Sequence, residues 1–361
     1  MKRVGYIYEK VCDLGNIKQA IVNSSRGKRN QKRVKAVITN SDKHARRIQE
    51  LLQNKTYKPA PYITKTILDG TSKKTREICK PRYYPDQVVH WALMQQIQPI
   101  IMRGMYRYNC GSVPGRGTSL GQKTLRHWLD TDYKNSKYCL KMDVSKFYPS
   151  VNNEILKAMF RKIIKDNDCL WLIDTIIDSH QGLPIGNYTS QWFANFFLQG
   201  LDHFIKEQLG IKHYIRYVDD LVLLGPNKKK LHKARVAIEE YLNSIDLQLK
   251  KDWQVFRVDY FDRQGKRRGR DIDFLGLRFF RDKTILRKRT ALRIMRRMRK
   301  IQKKGYLNYK DACAVISYWG WIKRSNSYYF YRKYVKPIVS VGYAKKVVSM
   351  HDKAYNLCAY S

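Results

Sequence analysis

Three aspartates stand at positions where a carboxylate is energetically costly. Asp143 ends an apolar run, and Asp219 and Asp220 lie side by side between two further apolar runs, 213–217 and 221–225. Adjacent like charges in a half-buried turn cost free energy unless a cation neutralises them. Mg²⁺ suits such an oxygen-only site because it takes its remaining ligands from water and phosphates. Two such ions stabilise the attacking and leaving oxygens of phosphoryl transfer, the chemistry that this pattern favours.

The charge balance of the chain indicates a polyanionic partner. Its 361 residues include 72 Lys and Arg against 30 Asp and Glu, a formal net charge of +42. A compact body with this charge repels itself unless it binds a polyanion, so nucleic acid is the first partner to expect. Aspartate pairs are also common in ordinary turns, and a structural role is the alternative for Asp219 and Asp220.

Composition excludes several other classes of protein. Hydrophobic residues make up 43% of the chain and aromatic residues 12%, too many for a disordered basic tail. No apolar run approaches the roughly 18 residues of a membrane helix, and no apolar segment follows the basic start as in a secretory signal. Seven scattered cysteines without a CxxC pair favour reduced thiols. We therefore expect a cytoplasmic protein with no membrane partner.

Periodicity and turn residues predict the elements that must position the aspartates. Helices are expected at 41–56, 86–102, 119–129, 153–165, 170–178 and 226–245. One long helix is also expected from the end of the loop 182–186 to residue 205, and most of the C-terminal part is expected to be helical. Strands are expected at 62–68 and 75–79 with a turn at 69–70 between them, and at 138–143, 213–217, 221–225, 253–260 and 272–280. The basic, weakly periodic N-terminus is interpreted as a flexible arm or as an arm that touches RNA.

The order of five short segments is similar to the motif order of reverse transcriptases. Segments 141–148, 182–191 and 217–220, the last reading YVDD, resemble motifs A, B and C of that family. Segment 75–78 resembles the fingers motif, and segment 274–276 resembles the primer grip. The resemblance implies RNA-directed DNA polymerisation.

The resemblance also implies the architecture, an α+β right-hand polymerase with an antiparallel palm sheet and a helical thumb. The expected domains are a basic N-terminal segment at 1–40, fingers at 41–136, a palm at 137–283 with a helical fingers portion near 152–182, and a thumb at 284–361.

The metal ligands implied by the resemblance are the three aspartates and one backbone oxygen. Asp143 and Asp219 are expected to be the main ligands of two Mg²⁺ ions, for which Mn²⁺ can substitute. The backbone carbonyl of Val144 is expected to be a further ligand, and Asp220 is less direct and shapes the site.

Other residues are expected to contact the nucleotide. Tyr148 lies five residues after Asp143, where the family has an aromatic residue that blocks the ribose 2′-hydroxyl, so the implied substrates are dNTPs; a core tyrosine is the alternative. Arg76 is expected to clamp the triphosphate, because a guanidinium matches phosphate geometry. Lys250 or Lys251, which the sequence does not distinguish, is expected to protonate the pyrophosphate.

Two further sets of residues complete the site that the resemblance implies. Contacts to the incoming nucleotide are expected from Ile185, Gly186 and Gln191 of motif B. Contacts to the primer and template are expected from Tyr217, Phe274, Leu275 and Gly276.

Motif B narrows the resemblance to one group of reverse transcriptases. Most bacterial reverse transcriptases have Gln before the motif B glycine and Pro after the serine, where this chain has Ile185 and Gln191. That pattern, and the segment 317–323, look like the reverse transcriptases of diversity-generating retroelements, which are encoded by bacteria, archaea and phages. Those enzymes copy a template-repeat RNA into cDNA with errors opposite adenine, alongside a small basic accessory variability protein. Ile185 is expected to loosen fidelity, because it keeps bulk and loses hydrogen bonds.

Two alternatives stay open at this point. One is a retron or group II intron-like reverse transcriptase, against which Ile185 and Gln191 argue. The other is a nucleic-acid-binding protein with an inactive polymerase fold, against which the intact Asp143, Asp219 and Asp220 argue.

Overall fold

The structure, a computed structural model, describes residues 2–68 and 75–360, so the turn predicted at 69–70 lies outside the described residues. Its helices are α1 (Tyr8–Cys12), α2 (Leu14–Ser24), α3 (Lys32–Thr39), α4 (Ser41–Gln53), α5 (Val88–Met102), α6 (Thr118–Thr131), α7 (Phe147–Ser150), α8 (Asn153–Ile163), α9 (Asn167–Ile177), α10 (Tyr188–Phe197), α11 (Gln199–His203), α12 (Lys228–Asn243), α13 (Lys288–Lys304), α14 (Tyr309–Ile322), α15 (Tyr328–Tyr334) and α16 (Val341–Tyr360). Its strands are β1 (Ile63–Leu68), β2 (Thr75–Lys80), β3 (Tyr138–Asp143), β4 (His213–Tyr217), β5 (Asp220–Gly225), β6 (Gln254–Arg257), β7 (Tyr260–Phe261), β8 (Arg267–Arg268), β9 (Ile272–Phe274), β10 (Leu277–Phe279) and β11 (Thr284–Leu286).

The central sheet orders its strands β4-β5-β3-β6, and each neighbouring pair is antiparallel. Successive side chains on a strand point to opposite faces. Leu221 and Leu223 of β5 therefore enter one hydrophobic core, whereas Val222 and Leu224 enter a second. Because both faces are covered, β5 is a continuous apolar run. The predicted α+β class with an antiparallel sheet is confirmed.

The N-terminal segment belongs to the first core. Ile17 and Ile21 of α2 are buried, and α2 packs against α5. The carboxylate of Asp166 holds the start of α1, because it accepts hydrogen bonds from the backbone N–H of Ile7 at 2.6 Å and of Tyr8 at 2.9 Å. The interpretation of this segment as a flexible arm is therefore wrong: its helices have apolar faces, and the fold buries them.

The second core joins the other face of the central sheet to the C-terminal helices. The single strand predicted at 272–280 is wrong, because the chain reverses at Leu275 and Gly276, both of which have positive φ. The reversal makes a hairpin of β9 and β10, which β11 extends to three strands. A Cβ on Gly276 would lie 2.0 Å from a ring carbon of Trp321 on α14, so only glycine fits at this junction.

Two more predictions differ in detail. The long helix predicted after the loop 182–186 is interrupted at Leu198, whose backbone leaves helical geometry between α10 and α11. The strand predicted at 253–260 ends at Arg257, because the N–H of Asp259 bonds to the carbonyl of Arg270 at 2.8 Å and draws the chain away from β3. The other predicted strands are confirmed, with ends shifted by at most one residue. Within the described ranges, no helix has the length and apolarity that a membrane span requires.

Candidate active site

The antiparallel register of the central sheet brings the three aspartates together. Asp143 at the end of β3 pairs with Asp220 at the start of β5. The backbone N–H of Val144 donates to the carbonyl of Asp219 at 3.2 Å, which ties the β4–β5 turn to the end of β3. Residues separated by about 75 positions in the chain therefore share one edge of the sheet, as the sequence analysis predicted.

The turn that carries Asp219 is strained. Val218 has φ +57°, in the left-handed region that a β-branched residue rarely adopts. Such a conformation costs about 1–3 kcal/mol and persists only where the surroundings enforce it. The turn thus stores strain at the residue that precedes the candidate ligand Asp219.

Basic side chains partly compensate the carboxylates. The ammonium of Lys250 contacts the Asp143 carboxylate, and its backbone N–H donates to the Asp143 carbonyl at 2.9 Å. The ammonium of Lys141 lies 3.9 Å from the carboxylate of Asp220. Lys251 is exposed. Of the two lysines that the sequence left open, the structure therefore places Lys250 against the carboxylates.

Two carboxylate oxygens remain uncompensated. Oδ1 of Asp143 and Oδ1 of Asp220 are buried and find no hydrogen-bond partner among the described residues. Buried carboxylate oxygens without partners are costly, and a hard cation would satisfy them. The described part of the chain contains no preformed cluster of three or more His, Cys, Asp or Glu metal ligands. The donor set fits Mg²⁺, which needs few protein ligands when it also binds water and phosphate.

Burial and nearby negative charge raise the pKa of two of these carboxyl groups. Burial, followed by the negative charge of Asp143, raises the pKa of Asp219 from 3.8 to about 7. Burial likewise raises the pKa of Asp220 to about 6, although Lys141 and Arg287 act to lower it. A cation that binds here must therefore displace protons near neutral pH.

Tyr148 on α7 lies near Asp219. Burial, followed by the nearby charge of Asp219, raises the pKa of its hydroxyl to about 12. Its backbone carbonyl accepts a hydrogen bond from the N–H of Leu183 at 2.8 Å. This bond joins the segment after Asp143 to the loop 182–186, so the structure brings motifs A and B together.

The loop 182–186 also contacts β2. The carbonyl of Ile185 accepts a hydrogen bond from the N–H of Cys79 at 2.9 Å. Ile185 and the exposed Gly186 therefore lie beside the strand that contains Arg76, whose side chain is outside the described part of the chain. Gln191 is exposed on α10.

The turn of the β9–β10 hairpin is buried, Gly276 included. Phe274 is fully buried and Leu275 nearly so, which leaves their side chains in the second core. The carbonyl of Leu275 accepts a hydrogen bond from Nε2 of Gln122 at 2.8 Å, which fixes the hairpin against α6. Tyr217 is half-buried and pairs with Asp220 across β4 and β5.

Sequence reasoning missed two basic residues near the site. Lys141 precedes Asp143 by two positions on β3, which places both side chains on one face, and this spacing could have revealed it. Arg287 contacts Asp273 and acts on Asp220 from the start of α13. No local sequence pattern indicates that Arg287 acts on Asp220, because the two residues are far apart in the sequence.

Comparison with known proteins yields one family and a set of distant structural neighbours. Residues 63–279 match the family described as "Reverse transcriptase (RNA-dependent DNA polymerase)". No protein with a curated description matches the chain. The chain is similar to the apo telomerase of Candida tropicalis truncated from its C-terminal domain, at 15% identity and a TM-score of 0.44, over 64% of this chain and 56% of that one. It is similar to the Candida albicans telomerase in complex with a TWJ fragment of telomeric RNA, at 15% identity and a TM-score of 0.43, over 62% and 46%. The chain thus spans about half the length of these telomerases.

The raised pKa of Asp219 predicts a pH-dependent effect of the Asp219→Asn substitution on stability. A carboxyl whose folded-state pKa is about 7 against an ordinary value of 3.8 destabilises the fold progressively as pH rises from about 4 to 7. With divalent metal removed by EDTA, Asp219→Asn should melt near wild type at pH 5. At pH 8 it should be more stable by about 1–2 kcal/mol after allowance for screening.

Asp262→Asn is the matched control for this measurement. The guanidinium of Arg268 and nearby backbone N–H groups lower the pKa of Asp262, so its substitution should not stabilise the protein at pH 8. Thermal melts followed by circular dichroism across pH 5–8 test both variants. A stability difference for Asp219→Asn that does not grow with pH would contradict the prediction.

Proposed function

The chain belongs to the reverse transcriptase (RNA-dependent DNA polymerase) family, and on that premise we propose that it extends a DNA primer by copying an RNA template. The observation that carries the proposal is the meeting of Asp143, Asp219 and Asp220 at one edge of the central sheet, with two buried carboxylate oxygens that lack partners among the described residues. The net charge of +42 supports a duplex of template and primer as the substrate.

We propose that the chain is divided into the fingers, palm and thumb domains of a right-hand polymerase. Residues 41–136 form the fingers, with a helical portion near 152–182, residues 137–283 form the palm, and residues 284–361 form the thumb. The β1–β2 hairpin, the central sheet and the C-terminal helices support this division. The N-terminal helix α2 packs against α4 and α5, which supports a place for the N-terminal segment beside the proposed fingers.

Asp143 and Asp219 would hold two divalent cations together with the backbone carbonyl of Val144, and Asp220 would shape the site. Bound Mg²⁺, or Mn²⁺ in its place, lowers the pKa of the primer 3′-hydroxyl and neutralises the triphosphate. The 3′-oxygen attacks the α-phosphorus, the bond to pyrophosphate breaks, and the hydroxyl proton passes to solvent. We propose Lys250, whose ammonium contacts the Asp143 carboxylate, as the donor of a proton to the leaving pyrophosphate.

The remaining contacts follow from where the residues lie. Arg76 on β2 would clamp the triphosphate. Gly186, whose missing Cβ leaves room for the Cys79 carbonyl of the same strand, would contact the nucleotide through its exposed backbone. The β9–β10 turn would support the primer indirectly, because Phe274, Leu275 and Gly276 are all buried. Tyr217 would contact the primer end from β4.

Asp143→Asn tests the proposed chemistry. The substitution keeps the shape of the side chain and removes a ligand charge, so primer extension on an RNA template with Mg²⁺ should fall by about three orders of magnitude. Affinity for the template–primer duplex should stay within about threefold, because backbone phosphate contacts set it. Asp252 is an exposed acid that lines the same cavity of about 340 Å³ as Asp143 and Asp220. The control variant Asp252→Asn should extend primers as wild type does. Near-wild-type extension by Asp143→Asn would refute the proposal.

Tyr148→Ala tests the choice of sugar. We propose that the half-buried ring of Tyr148 beside Asp219 occupies the space that a ribose 2′-hydroxyl needs. Its removal should reduce the preference for dNTP over rNTP by about 100-fold in single-nucleotide incorporation. Tyr148→Phe keeps the ring and should keep the preference. If the alanine variant discriminates as wild type does, Tyr148 is a core residue and not a gate.

We infer that the enzyme serves a diversity-generating retroelement, in which it copies a template-repeat RNA into adenine-mutagenised cDNA with a small basic accessory variability protein as partner. Ile185 and Gln191 support this subtype over retron and group II intron-like enzymes. The side chain of Ile185 is half-buried beside β2, and it offers no hydrogen bond where a glutamine would offer both donor and acceptor.

Ile185→Gln should raise fidelity. A regained hydrogen bond of about 1–1.5 kcal/mol corresponds to roughly tenfold discrimination, so misincorporation opposite template adenine should fall by about that factor. Ile185→Leu keeps the apolar character and should leave the error rate unchanged. Sequencing of cDNA made from one RNA template measures both variants, and an unchanged error spectrum in Ile185→Gln would remove the fidelity role.

A further inference from the structure

A buried ion pair lies behind the turn that carries Asp219. Arg216 on β4 and Asp202 on α11 are both fully buried, and Nη2 of Arg216 lies 2.6 Å from Oδ2 of Asp202. Nε of Arg216 donates to Oδ1 of the same carboxylate at 2.8 Å, so the contact is bidentate. The hydroxyl of Tyr214 also donates to Oδ1 of Asp202 at 2.8 Å. A buried pair needs such complete hydrogen bonding to offset the cost of desolvation.

The remaining nitrogen of Arg216 reaches the catalytic turn. Nη1 donates to the carbonyl of Val218 at 2.9 Å and lies 3.3 Å from Oδ1 of Asn195. The amide of Asn195 in turn donates to the carbonyl of Gly111 at 2.7 Å. The guanidinium of Arg216 therefore bonds to the Asp202 carboxylate along one edge and to the carbonyl of the strained residue Val218 along another.

The backbone near Gly111 encloses the same turn from a second side. Arg216 exchanges backbone hydrogen bonds with Tyr108 and Cys110, at 3.1 Å and 2.8 Å. These bonds seat the segment against β4 and bring Gly111 onto Val218, where a Cβ on Gly111 would lie 2.6 Å from the backbone N of Val218. Glycine is thus required for this close approach.

We propose that Arg216, oriented by Asp202, is a positioning residue that holds Val218 in its left-handed conformation and thereby directs Asp219 toward Asp143. A valine released from that hydrogen bond would favour extended backbone angles, which would turn Asp219 away from the end of β3. The bond from Val144 N–H to the Asp219 carbonyl would be lost with it. This inference rests on the proposed polymerase function and adds a residue that touches neither substrate nor metal.

Arg216→Lys is the first test. Lysine keeps the charge opposite Asp202 but cannot present donors to Asp202 and to Val218 at once. We expect kcat for primer extension to fall by about 10–100-fold, with KM for dNTP and affinity for the template–primer duplex within about threefold. Binding of Mn²⁺, measured from the electron paramagnetic resonance signal of the free ion, should weaken by about fivefold or more.

Tyr214→Phe is the matched control. It removes one hydrogen bond from Asp202 and leaves the link between Arg216 and Val218 in place. Its kcat and its Mn²⁺ affinity should therefore stay within about twofold of wild type, even where its melting temperature falls. Equal losses in Arg216→Lys and Tyr214→Phe, measured well below both melting temperatures, would show a general packing role and overturn the inference.

Gly111→Ala gives an independent test if Arg216→Lys fails to fold. The added methyl group pushes on Val218 while the ion pair stays intact, so kcat and Mn²⁺ affinity should both fall. Gly117→Ala, where an added Cβ meets no atom within 4 Å, should leave both unchanged. Wild-type kcat and Mn²⁺ binding in Gly111→Ala would overturn the inference. Absence of extension by the wild-type protein would instead refute the proposed function, and the Mn²⁺ measurements would still decide the role of Arg216.

Discussion

The antiparallel pairing of β3 with β5 is the contact on which the candidate site depends. It sets Asp143 opposite Asp220, and Val144, the residue after β3, donates its N–H to the carbonyl of Asp219. A slip of one residue would turn every side chain of one strand to the other face of the sheet. Because apolar cores cover both faces, the cost of such a slip is large, and the packing that stabilises the sheet also determines the placement of the carboxylates.

Charge is distributed in a way that makes this placement tolerable. Burial, with the nearby negative charge of Asp143, raises the pKa of both Asp219 and Asp220 at this half-buried edge. Lys141, Lys250 and the more distant basic residues of a chain with a net charge of +42 offset part of that negative charge. The compensation is incomplete at two buried oxygens, which leaves the edge suited to a cation that arrives with a nucleotide.

The same edge is supported from behind by buried polar groups, which is unusual in a fold stabilised mainly by apolar packing. The pair of Arg216 and Asp202 is worth little as a net contribution to stability, because desolvation of both charges offsets their attraction. Its directional hydrogen bonds, however, can hold a β-branched residue in a backbone conformation that apolar contacts would not enforce. Specific geometry, more than stability, is what this pair supplies.

The sequence by itself indicated the candidate carboxylates and the strands that flank them, and its motifs implied the α+β class. Those features depend on local patterns: an apolar run that stops at Asp143, the YVDD turn, and the period of each strand or helix. Only the tertiary structure decided that the N-terminal helices are packed, that the chain reverses at Gly276, that Lys250 rather than Lys251 meets Asp143, and that Arg216 pairs with Asp202. Each of these depends on contacts between residues whose relation appears only when the chain is folded, since an isolated segment has no partner that would select one conformation or one lysine over another.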